Sequence, residues 1–179
     1  MNKQALTPEL VSWAKRIALK VDPDNEALAP MMLDAYLQGG SKRKQLFERD
    51  AMVGSFLAEG ILPLLAFAFT ALSLIGKELM ELQASGGLRA INSLLSGWKT
   101  WLEALKTRQS LKEKAESPEG KKDDFAILYR VSQKVEKALQ KRGLSMEQSE
   151  LLTYHVIKSL LEEPGGGAKL IAEFPKEQG

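Results

Sequence analysis

The stretch "GILPLLAFAFTALSLIG", Gly60 to Gly76, runs for seventeen residues without a charge in a chain that is 27% charged. Its environment decides the fold: it either crosses a bilayer or forms the centre of a packed core. A spanning helix needs about 20 apolar residues. Extending the stretch upstream to Ala51 gives the length but takes in Glu59, and charge at membrane depth is costly. Lys42, Arg43, Lys44 and Arg49 precede the stretch and Glu78 and Glu81 follow it, a pattern compatible with a single span that keeps its basic side in the cytoplasm. Against this, no Trp or Tyr flanks either end, and mean hydropathy is negative. The other periodic segments also carry apolar faces that need a partner, and a helix apolar on all sides is what the middle of a bundle requires. The reading preferred is a buried central helix. The alternative is a membrane-anchored protein with one span near 56–76, oligomeric or pore-forming.

Around this stretch the periodicity is helical nearly everywhere. Thr7 and Pro8 predict an N-cap and first helical residue, with Leu10, Trp13, Ala14, Ile17 and Val21 on one face until Pro23 breaks the helix. A short helix carrying Leu28, Met31, Met32, Ala35 and Tyr36 ends at Gly39-Gly40. Ser41 is then expected to cap a long helical stretch reaching Gln83, bent at Gly60 and Pro63. After Ser85-Gly86-Gly87, residues Leu88, Ile91, Leu94, Leu95, Trp98, Trp101, Leu102 and Leu105 predict another amphipathic helix.

The run KTRQSLKEKAESPEGKKDD, residues 106–124, has one leucine and no aromatic, which predicts a solvated and partly mobile loop. Phe125 to Arg142 reads as a helix with Leu128, Val131, Val135 and Leu139 inward and Gly143 as its stop. Ser145 and Gln148 form a capping box before a helix with Leu151, Leu152, His155, Leu160 and Leu161. The expected architecture is all-α: six or seven helices around a central apolar one. Residues 1–163 make one domain, and 164–179 a glycine-rich terminator with a tail that either docks through Leu170, Ile171 and Phe174 or hangs free.

No enzyme template fits. Cysteine is absent and His155 is the lone histidine, which excludes disulfides, thiolate metal sites and a histidine metal cluster. His155 lies on an amphipathic helix without a nucleophile motif, so a structural role is expected. Pro164-Gly165-Gly166-Gly167-Ala168-Lys169 lacks the preceding strand and Lys-Ser/Thr ending of a phosphate loop and reads as a flexible terminator. The expectation is no catalytic residue, no metal and no cofactor. The N-terminal sequence has no basic-then-apolar order of a secretory signal, so a cytoplasmic setting is expected.

Charge distribution is more informative than the net +2, since residues 86–142 hold 13 Lys and Arg against 7 Asp and Glu. Such a local field favours polyanions. Arg130, Lys134, Lys137 and Lys141, at steps of four, three and four, form one ridge beside the apolar ridge of the same helix. Like charges so placed repel by a few tenths of a kcal/mol per pair, and only Glu136 offers local relief. A solvated helix exterior and an anion-binding ridge are both open readings of that pattern. Lys42-Arg43-Lys44 and Lys121-Lys122 are two further basic groups, with Lys15, Arg16 and Lys20 a fainter third. Joined in space they would form a track for phosphates. Trp98 and Trp101 could stack bases, although their spacing with Leu94, Leu95 and Leu102 favours core packing.

The basic segment "SKRKQLFERD" leading into "GSFLAEGILPLLAFAFTAL", in a small cysteine-free helical chain, resembles the small subunits of multi-subunit CRISPR effector complexes. The resemblance covers about residues 41–75 and contains no invariant motif. It implies a non-enzymatic helical bundle acting in antiviral defence, present in several copies beside other subunits. Its basic side chains would touch guide RNA and the target or displaced DNA strand, with no small-molecule substrate.

Overall fold

A computed structural model of the chain describes residues 6–47, 64–84, 95 and 124–174. Among the described residues the fold is all-α, with seven α-helices, one short 3-10 segment and no strand. The chain divides into two compact units, Met1–Thr70 and Ala71–Gly179.

In the first unit, helix α1 (Pro8–Val21) opens as its sequence predicts: the Thr7 side chain accepts from the Leu10 amide at 3.2 Å, and proline occupies the first turn. Leu10, Trp13, Ala14, Ile17 and Ala18 form its buried face. A 3-10 segment (Pro23–Leu28) follows, held where Asn25 Nδ2 donates to Asp22 Oδ1 at 3.0 Å. Helix α2 (Ala29–Gln38) buries Ala29, Met32, Leu33 and Tyr36 and packs on α1.

The expected long helix from Ser41 is not formed. Gly39 and Gly40 both take positive φ, 67° and 55°, a conformation glycine adopts without steric penalty, and helix α3 (Gly40–Gln45) starts there. Ser41 therefore lies inside α3 and caps nothing. The helix stops after six residues because the polar run GSKRKQ buries no side chain; the first one buried is Leu46, at its C-cap. Phe47 then meets Phe67 edge-on, with ring centroids 5.1 Å apart. The expected bend at Gly60 and Pro63 lies outside the described residues.

Helix α4 (Leu64–Ala84) carries the second half of the opening stretch. Every residue from Leu65 to Ser73 is buried, so this part of the helix is covered on all sides, as the core reading expects. Phe69, fully buried, meets Tyr36 edge-on at 5.8 Å within the first unit. Thr70 satisfies its hydroxyl by donating to the Ala66 carbonyl at 3.1 Å. Among the described residues no helix is long and apolar enough to cross a membrane. The alternative span near 56–76 begins outside them, and its described part belongs to a helix that continues through Lys77, Glu78 and Glu81.

In the second unit, helix α5 (Asp124–Lys141) buries Leu128, Val131, Val135 and Leu139, the four residues its periodicity selects. Gly143, with φ 103°, ends it: the Gly143 amide donates to the Gln140 carbonyl and the Leu144 amide reaches back to Leu139, the paired bonds of a Schellman turn. Helix α6 (Met146–Glu162) opens with the expected capping box, in which Ser145 Oγ accepts from the Gln148 amide at 3.2 Å and Gln148 Oε1 accepts from the Ser145 amide at 3.0 Å. Its buried stripe runs through Leu152, Val156 and Leu160. Leu151 stands 57% exposed, one residue and about 100° of helix away from Leu152 on that stripe.

The glycine-rich run is not a flexible terminator. Pro164 opens helix α7 (Pro164–Glu173), which packs on α6 and buries Leu170 and Ile171, with Phe174 buried just beyond it. The tail docks through the residues named for it. Gly167 explains the composition: a Cβ there would lie 2.7 Å from the Leu160 carbonyl oxygen, so only glycine allows this approach of α7 to α6. The helix expected over 88–105, with Trp98 and Trp101, lies outside the described residues except for Leu95, which is helical and buried. So does the expected loop, except for Asp124, which opens α5.

Candidate nucleic-acid interface

The apolar ridge of α5 fixes where its cations go. With Leu128, Val131, Val135 and Leu139 buried, Arg130, Lys134, Lys137 and Lys141 are all exposed, following one another along the helix. Lys141 lies in the last turn, where the partial negative charge of the helix end favours a cation, and this offsets part of its repulsion by the others.

Glu136, the carboxylate of the same helix, is buried. The partner of Lys134 comes from α4. Lys134 Nζ donates to Glu78 Oε2 at 2.5 Å, the lysine side chain 62% exposed and the glutamate 20%. A pair this exposed contributes about 0–1 kcal/mol to stability. Fifty-six residues separate the two, so no local pattern could have paired them. The sign available in the sequence is that Glu78 stands where the uncharged stretch gives way to Lys77, Glu78 and Glu81, one turn before Leu82.

Beside this ion pair α4 and α5 leave a cleft of about 110 Å3 lined by Glu78, Leu82, Ile127, Arg130, Val131 and Lys134. Its aliphatic members come from both helices, and its charged members are Arg130 and Lys134 of the basic ridge with Glu78, the carboxylate that pairs with Lys134.

The second basic group stands on α3. Lys42 is exposed and donates to Gln38 Oε1 at 2.6 Å, and Lys44 is exposed. Arg43 is half-buried, with its guanidinium 3.8 Å from the centroid of the Tyr36 ring, a cation–π contact. This group belongs to the first unit and the ridge to the second. Lys121 and Lys122 lie outside the described residues. Of the fainter third group, Lys15 is exposed, whereas Arg16 lies over the buried Trp13 at 4.7 Å.

His155 is half-buried in α6, its ring edge-on to Tyr154 at 5.6 Å. Among the described residues no group of three or more His, Cys, Asp or Glu is placed to hold a metal ion. The glycine run offers no phosphate cradle, because Gly167 is buried against the Leu160 backbone. In comparisons with known proteins, no family model, no curated protein and no solved structure matches this chain.

Proposed function

We propose that this chain is a non-enzymatic subunit of a ribonucleoprotein that grips the sugar–phosphate backbone of a nucleic acid. The observation that carries the proposal is the exposed row Arg130, Lys134, Lys137 and Lys141 on one helix. Four cations in line repel one another, and a polyanion laid along them removes that repulsion while releasing its condensed counterions. Lys42, Arg43 and Lys44 supply a second contact patch, and Lys121 and Lys122 are assigned to the same role. The resemblance to CRISPR effector small subunits supports guide RNA and the target or displaced DNA strand as ligands. It also supports other subunits and copies of this chain as neighbours in a cytoplasmic assembly.

Fluorescence anisotropy with a labelled single strand, followed from low to moderate salt, tests this. Binding should weaken steeply, with a log–log slope of about −0.7 per phosphate contact. Reversing both Lys134 and Lys137 to Glu should flatten that slope by at least about 1.4 and weaken binding to every sequence alike. Affinity indifferent to salt, or to the double reversal, removes the proposal.

A further inference from the structure

The cleft between α4 and α5 has a composition that a purely electrostatic patch does not need. Leu82, Ile127 and Val131 give it aliphatic walls, Glu78 places a carboxylate in it, and Arg130 and Lys134 line its exposed α5 side. A carboxylate has about four acceptor positions, and Lys134 engages only one oxygen, Oε2. The cleft therefore combines an apolar surface, a hydrogen-bond acceptor and flanking positive charge within about 110 Å3.

Building on the backbone-binding reading, we infer that this cleft receives one unpaired nucleobase bearing an exocyclic amino group, with cytosine the best fit. The base face lies on the aliphatic walls, its amino group donates to Glu78, and the adjoining phosphates meet Lys134 and Arg130. Each part of the cleft then faces its complement. The cytosine N4 amino group is a donor suited to a carboxylate, whereas thymine presents the O4 carbonyl at the same place and sets acceptor against acceptor. In a duplex both faces of a base are covered by its stacked neighbours, and the aliphatic walls need one face bare, so the cleft selects single strands. The same glutamate also restrains Lys134: a phosphate that uses this lysine competes with Glu78 for it.

The experiment compares three fluorescently labelled strands of equal length at pH 8: oligodeoxycytidine, oligodeoxythymidine and an abasic deoxyribose-phosphate strand. The full chain should bind cytidine about tenfold more tightly than thymidine, the effect of one hydrogen bond to a charged group, and the abasic strand no more tightly than thymidine. Glu78→Ala should abolish the cytidine preference and raise affinity for both homopolymers by freeing Lys134, a gain that partial unfolding could not produce. Ile127→Phe, filling the cleft from a half-buried position, should abolish the preference without that gain. Equal binding of all three strands by the native chain, with strong salt dependence, overturns the base cleft and leaves the backbone reading standing. A cytidine preference that survives Glu78→Ala overturns it equally. No salt-sensitive binding to any strand removes both.

Discussion

Gly167 lies so close to Leu160 that a methyl group on its α-carbon would stand 2.7 Å from the Leu160 carbonyl oxygen. The obstacle is backbone, which cannot rotate away as a side chain can. Gly167→Ala should therefore destabilise the chain by about 1–3 kcal/mol, the usual range for overpacking. Gly165, two residues earlier on the same helix, has open space around it, and Gly165→Ala should stabilise by about 0.4–1 kcal/mol through the unfolded state. Thermal unfolding of the two variants, where each kcal/mol moves Tm by roughly 2–4 °C in a chain of this size, should show shifts of opposite sign. Equal shifts would mean that α7 does not pack on α6 in this way.

The reciprocal bonds between Ser145 and Gln148 make a second prediction. Ser145→Ala should cost about 0.5–2 kcal/mol in chemical denaturation. Gln148→Ala should cost less, and the double variant less than the sum, because each single change already breaks the box. Strict additivity would show that the two bonds act independently.

Thr153 is fully buried on α6, and its hydroxyl has no hydrogen-bond partner among the described residues. An unsatisfied buried hydroxyl is destabilising by about 1–3 kcal/mol. Thr153→Val, which exchanges that hydroxyl for a methyl of similar shape, should raise the urea midpoint without changing the m-value. A lower midpoint would reveal a partner for the hydroxyl.

Within the ridge, the cations should contribute unequally to nucleic-acid affinity. Lys134 begins in an ion pair with Glu78, whereas Lys137 and Lys141 are exposed beyond it. Lys137→Ala should therefore weaken single-strand binding more than Lys134→Ala. In a Glu78→Ala background the loss at Lys134 should rise to match. Identical losses in both backgrounds would show that the ion pair does not compete with phosphate.

Local chemistry made much of this fold legible in advance. The Thr7 cap, the Ser145–Gln148 box and the stop at Gly143 depend on residues a turn apart, and all three form as their spacing dictates. The apolar ridge of α5 and the burial of Leu65 to Ser73 follow from periodicity and its absence. What escaped depends on how one helix packs on another. Nothing near Gly167 announces Leu160, and glycines that signal a chain break also permit two helices to touch. Leu151 and Leu152 differ in burial whereas Leu160 and Leu161, also adjacent, are both buried, and only tertiary packing decides between the two outcomes. The basic ridge was visible from its four-three-four spacing, but Glu78, and with it the cleft, required the apposition of α4 and α5.

Arg43 rests on a ring that is itself set against Phe69 in the interior. Its charge is thus anchored, whereas those of Lys42 and Lys44 ride on long exposed stems. A tethered charge chases whatever approaches it; a fixed one dictates where an approaching strand must halt. Mutagenesis at position 43 would consequently blur two effects, since losing the guanidinium also uncovers Tyr36, and changing Lys42 also breaks its bond to Gln38, so Lys44 is the cleaner place to measure attraction alone.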